Sequence, residues 1–102
     1  MEVRIPKSFK LFNSTITVKY ANEFCIKNNA LGMCDVDHLS IVLANTSPEG
    51  KIYKNDVILD TLYHEKVHMI LKTMGENKLS SNEKFVDIFG KLLRQSDETA
   101  KY

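Results

Sequence analysis

Cysteine is scarce in this chain, neither acids nor bases predominate, and no apolar run is long. Each lack removes a class of function. The two cysteines, Cys25 and Cys34, have eight residues between them. No disulfide framework is implied, and the Cys-x-x-Cys spacing of thiol-redox or cysteine-rich zinc sites is absent. Reduced core thiols in a cytoplasmic protein are the natural reading. The net charge is +1, with acids and bases interspersed, so no electrostatic footprint for nucleic acid is present. No stretch approaches the roughly 18 apolar residues of a membrane span. The N-terminus, Met1 to Lys7, lacks the apolar h-region of a signal peptide. What remains is ordinary for a globular protein: 43% hydrophobic and 26% charged residues over 102 positions. Residues 1–102 therefore read as one domain, large enough to fold without staples. The sequence assigns no oligomeric state.

The pattern divides into a β-rich N-terminal half and a helical C-terminal half. Ile16 to Tyr20 alternates apolar and polar positions with β-branched residues, which predicts a half-buried strand. Leu39 to Leu43 is apolar at most positions and predicts a more central strand. Leu31 to Cys34 is a weaker strand, turned back into a hairpin by Asp35 to His38. Phe9 to Phe12 adds a first strand after Pro6, while Asn22 to Asn29 fits a short helix or a loop. Thr46 to Gly50 carries turn chemistry and closes this region. From Asn55 the period changes to 3.6, with Asn55 or Asp56 as cap. Val57, Ile58, Leu59, Leu62, Val67, Met69, Ile70, Leu71 and Met74 then wrap most of the circumference. A helix apolar nearly all round is buried on nearly all sides. Lys66 fills its one clear polar gap, and Gly75 stops it. A second helix opens at Ser80 to Glu83, with Phe85, Ile88, Phe89, Leu92 and Leu93 on its apolar face; the polar tail from Ser96 frays. The expected architecture is α+β: a mostly antiparallel sheet of three to four strands packed on a buried helix and a second C-terminal helix.

That buried helix carries His64-Glu65-Lys66-Val67-His68. Histidines four apart stand about 6 Å apart along a helix axis and project from one face, where both can close on one small cation. Glu65 points roughly 100° around the helix, beside the cation rather than onto it. That is the place for a general base acting on a metal-activated water. A third protein ligand is required. No histidine follows His68, and His38 is the only one upstream, in a turn. The downstream candidates are Glu76, Glu83 and Asp87. Glu76 lies in a turn just past Gly75 and would need a sharp reversal to reach the histidines. Glu83 and Asp87 are four apart and share a helix face. Gly90 on that strip allows a neighbouring helix to approach closely. This geometry fits one carboxylate on the metal and the other behind it, with Asp87 suited to bond the free ring N–H of His64. Ser80-x-x-Glu83 is equally a capping box, in which Glu83 bonds the N-cap amide.

Asn82-Glu83-Lys84-Phe85-Val86-Asp87-Ile88-Phe89-Gly90 resembles the N-E-x-x-x-D-I-F-G segment of thermolysin-type enzymes, the gluzincins. The resemblance implies that Glu83 is the third zinc ligand and that Asp87 supports His64. Ile5 to Phe12, Gly32 and Thr61-Leu62-Tyr63-His64, in that order, also resemble short zincin-like proteins of phage and prophage origin. The likeness spans nearly the whole chain. The chain departs from the thermolysin pattern in three ways. Only fourteen residues separate His68 from Glu83, Lys66 stands where an apolar residue is usual, and nothing corresponds to the large C-terminal subdomain that supplies a transition-state histidine. The expectation is a zinc-dependent metallopeptidase with His64, His68 and Glu83 as ligands and Glu65 as general base. Its substrate would be a peptide or protein, added along a sheet edge. His38, Tyr63 and Tyr53 are candidates for a second electrophile. The alternatives are a zinc-binding interaction module with little or no proteolysis, and a structural zinc site. The absence of an evident fourth protein ligand argues against the last.

Overall fold

The computed structural model describes residues 3–102. Four strands and four helices follow one another: β1 (Ser8–Leu11), β2 (Ser14–Tyr20), α1 (Asn22–Lys27), β3 (Gly32–Asp35), β4 (Ser40–Leu43), α2 (Asn55–Thr73), α3 (Asn77–Ser80) and α4 (Glu83–Thr99). The architecture is α+β, and no helix among the described residues is long and apolar enough to cross a membrane.

The sheet order is β1-β2-β4-β3. The β1–β2 and β3–β4 pairs are antiparallel, but β2 and β4 run parallel, with Val18 opposite Ile41. The sheet is therefore mixed rather than simply antiparallel. The reason is the crossover: α1 carries the chain past the centre, β3 forms outside, and the hairpin returns β4 into the gap beside β2. β3 is left as an edge. Alternation does the local work, since Ile16, Val18, Ile41 and Leu43 all turn inward. The β1–β2 turn places Phe12 in the left-handed region at φ 54°, 84% exposed, one residue beyond the strand.

α2 lies between two partners. Ile58, Leu62 and Met69 pack on the inner face of the sheet. Val67 and Leu71 pack instead on Val86 of α4, with Phe85 and Leu93 alongside. Two different neighbours explain why its apolar residues wrap the whole circumference. Lys66 is accommodated at the margin, its Nζ 5.0 Å from the Phe9 ring centre and 5.3 Å from that of Tyr63.

The helix ends correct three expectations. The N-cap of α2 is Lys54 rather than Asn55 or Asp56, and its side chain makes no capping bond. Its C-terminus closes as foreseen: Gly75 at φ 82° lets the Glu76 N–H reach the Leu71 carbonyl (2.8 Å) and its own N–H reach Lys72 (3.1 Å), the double bond of a Schellman motif. The short connection beyond holds an unforeseen single turn, α3. α4 is capped by Asn82, whose side chain accepts from the Phe85 amide at 3.1 Å. Ser80 is thus not a cap, and the capping box with Glu83 does not form. The tail expected to fray from Ser96 stays helical to Thr99; Thr99 Oγ1 donates to the Gln95 carbonyl.

Candidate metal centre

One turn of α2 stacks His64 and His68 edge to face, with ring centres 4.9 Å apart. Both Nε2 atoms turn toward a single carboxylate from another helix. Glu83 Oε2 lies 3.0 Å from His64 Nε2, and Oε1 lies 3.2 Å from His68 Nε2. One ligand atom from each of the three residues falls within 4.8 Å of the other two, so the group could hold a metal ion. Glu83 is free to serve because Asn82 takes the cap. Standing first in α4, Glu83 extends its carboxylate across to α2 instead of back to its own backbone.

Polar groups also stand near the outward ring nitrogens. Asp87, one turn after Glu83, sets Oδ1 3.7 Å from His64 Nδ1, while its other oxygen meets Lys91 Nζ at 3.2 Å. Ser80 Oγ lies 2.9 Å from His68 Nδ1 and is only 4% exposed. Sequence reasoning missed this role for Ser80. The available signal was Asn82, an equally good cap two residues later, which frees the serine. The helices approach closely at Gly90, where a Cβ would stand 3.3 Å from the His64 nitrogen and the Tyr63 carbonyl carbon.

The donors fit a divalent cation. Two imidazole nitrogens and one carboxylate oxygen are the protein ligands of one class of catalytic zinc site. The outward nitrogen of His68 is hydrogen-bonded by Ser80, which orients that ring, whereas Asp87 stands near His64 but beyond hydrogen-bond distance. Burial pulls the His68 imidazole below its ordinary pKa, against the opposing pull of Glu83. That favours the neutral form, the one that ligates metals.

Glu65 sits beside this cluster, 9% exposed. Burial pushes its carboxyl above the usual range; His64 opposes that and Glu83 adds to it. The backbone of Cys34, which lines the same cleft, weakly opposes that rise. At the start of β3 the Ala44 N–H donates to the Leu31 carbonyl (2.8 Å). Leu31 and Met33 therefore bond toward β4, while Gly32 and Cys34 turn their backbone groups to the open edge. A missing Cβ at Gly32 matters here, since one would stand 2.6 Å from Thr61 Cγ2 on α2.

A cleft of about 410 Å³ opens between β3 and the helices, lined by Gly32, Cys34, Glu65, His68, Ser80 and Glu83 among others. None of the three candidate electrophiles lines it. Tyr63 Oη donates to Asp97 at 2.8 Å, and desolvation with that carboxylate pushes its pKa up to about 12. Tyr53 packs against the sheet core. His38 remains at the hairpin turn, its Nδ1 2.7 Å from Asp35. Glu76 is also outside the cluster; its backbone carbonyl accepts the Ser80 amide (3.0 Å). Cys25 and Cys34 are free thiols, both raised in pKa by burial.

No protein-family model, curated protein or solved structure matches the chain.

Proposed function

We propose that the chain is a small zinc-dependent metallopeptidase of the cytoplasm, with a gluzincin-like site on a zincin-like fold. The observation that carries this reading is the convergence of His64, His68 and Glu83, contributed by two helices, beside the buried carboxylate of Glu65. The histidine–glutamate pattern is local, but the arrival of Glu83 from α4 is not. Three protein ligands leave an open position, as catalytic zinc sites do.

Zinc held there supplies Lewis acidity, lowering the pKa of water and polarising a carbonyl oxygen. The protein's own groups do the rest. A peptide lies as an added strand on the open edge of β3, where Gly32 presents unpaired backbone groups. Glu65 takes a proton from the attacking water as the new C–O bond forms and the carbonyl electron pair moves to oxygen. It then delivers that proton to the amide nitrogen as the C–N bond breaks, leaving a carboxylic acid and an amine. Its burial, which raises its proton affinity, suits both halves of this exchange. Ser80 orients the His68 ring, and Asp87 stands near that of His64.

The experiment is zinc stoichiometry of the purified protein beside two variants. Wild type is expected to bind one zinc per chain, Glu83→Ala to lose or strongly weaken it, and Glu65→Gln to keep the metal but lose peptide cleavage. Wild type that binds no zinc when zinc is supplied refutes the metal centre. A Glu65→Gln variant that cleaves as fast as wild type refutes the mechanism alone.

One observation favours an interaction module instead. Ile88, Phe89 and Leu92 stand exposed on α4 with Phe85 beside them, an i, i+3, i+4, i+7 stripe of the kind that docks on a partner. A partner captured equally by wild type and Glu65→Gln, and never cleaved, would favour that reading.

A further inference from the structure

The charges along the cleft are distributed unevenly about the metal centre. On the side lined by Thr61, Asp60, Asp87 and Lys91, the two aspartates and the lysine are all paired. Asp87 meets Lys91 at 3.2 Å, and Asp60 meets Arg94 at 3.0 Å. On the other side the cleft runs into a wider groove of about 800 Å³ over the outer face of the sheet, and Met33, Cys34, Lys72 and Asn77 line both spaces. There Asp35 is taken by His38 at 2.7 Å. Lys19 and Lys72 share the groove with Asp37, and Lys72 also shares the metal-side cleft with Glu65 and Glu83, but neither lysine forms an ion pair among the described residues.

Lys72 has the better placement. It follows His68 by one turn and Glu65 by two, on the same strip of α2, and helical side chains lean toward the N-terminus. Its exposed ammonium therefore leans back over the cleft, close enough to act electrostatically on both Glu65 and His68. Apart from His68, it is the only cationic side chain among the described residues lining the metal-side cleft. The neutral donors Asn77 and Ser81 lie along the same wall.

Resting on the peptidase reading, we propose that Lys72 forms a carboxylate-recognition subsite beside the metal centre. The substrates are then peptides carrying a carboxylate on the Met33–Asn77 side of the scissile bond. An acidic side chain and a free C-terminus offer the same chemistry, so the test separates them.

Zinc-loaded protein is incubated with random-sequence peptides, half with free and half with amidated C-termini, and the cut sites are read by mass spectrometry. Aspartate or glutamate enriched at one position, in both pools, identifies an acidic side chain. Cleavage confined to the free-terminus pool identifies the terminal carboxylate. With Lys72→Met the preference should fall about tenfold, the scale of losing one charge-assisted contact. With Lys72→Glu it should invert toward lysine and arginine. Binding of a fluorescein-labelled poly-glutamate peptide is measured in parallel on Glu65→Gln, with and without Lys72→Met, and a roughly tenfold loss is expected again. Wild type that cuts without regard to carboxylates, or a Lys72→Met variant that keeps the preference, overturns the subsite and leaves the peptidase standing. If wild type cuts nothing, the peptidase reading fails and binding decides: loss on Lys72→Met supports the subsite, and equal binding overturns it.

Discussion

Replacing Gly90 by alanine tests the packing on which the metal centre depends. Two opposed effects act on this substitution. Alanine in a helix interior is favoured over glycine by about 0.5–1 kcal/mol, because glycine loses more backbone freedom on folding. Against this, the new Cβ would lie 3.3 Å from the His64 nitrogen and the Tyr63 carbonyl carbon, and 3.4 Å from the Tyr63 oxygen. Ordinary contacts fall near 3.5–4.0 Å. All three atoms are backbone of α2, so no side chain can rotate away and the helices must part by a few tenths of an ångström. Overpacking of this kind costs about 1–3 kcal/mol. The clash wins by about 1 kcal/mol, which lowers the melting temperature of a domain this size by about 4–8 °C. Because α4 carries Glu83 and Asp87, its displacement would also loosen the proposed third ligand. Thermal unfolding of the metal-free protein by circular dichroism gives the first effect, and zinc competition against a chromophoric chelator gives the second. A Gly90→Ala protein that melts at or above the wild-type temperature would show that the helices do not meet tightly there, and the account of how α4 is placed would fail.

Three further outcomes are expected. Ser80→Ala leaves His68 Nδ1 without its partner and should weaken zinc binding about 10–100-fold, the usual effect of removing a group behind a ligand; unchanged affinity in a chelator competition would remove Ser80 from the site. Phe12 holds a left-handed φ that a bulky residue adopts at a cost, so Phe12→Asn should raise stability by about 0.5–1 kcal/mol in urea unfolding, and a loss would contradict the strain. His38 holds the Asp35 carboxyl below its ordinary pKa, first through the side-chain hydrogen bond. A depressed carboxyl contributes stability above its unfolded pKa, and that contribution is lost as pH falls through the folded value. His38→Ala should therefore move Asp35 toward the usual carboxylate range in an NMR titration and reduce its part of the acid dependence, the backbone N–H of residue 38 still donating to it; an unmoved Asp35 titration would exclude the pair.

The sequence by itself determined whatever depends on neighbours along the chain. Helical rise and pitch put His64 and His68 on one face and Glu65 beside them. Alternation set the inward faces of β2 and β4, and Gly75 stopped α2 with its left-handed φ. Tertiary structure alone decided the rest. Ser80 and Asn82 are both competent caps, and only the packing of α4 on α2 chose Asn82, which released Glu83 toward the histidines and Ser80 toward His68. The parallel pairing of β2 with β4 follows from a crossover whose ends lie twenty residues apart, a distance at which local preference carries no information. The same crossover made β3 the edge strand, while the packing of α4 on α2 brought Tyr63 to Asp97. Geometry within a helix or strand is fixed by bonds and sterics a few residues long, whereas the choice among competent partners is fixed by the burial each arrangement achieves over the whole chain.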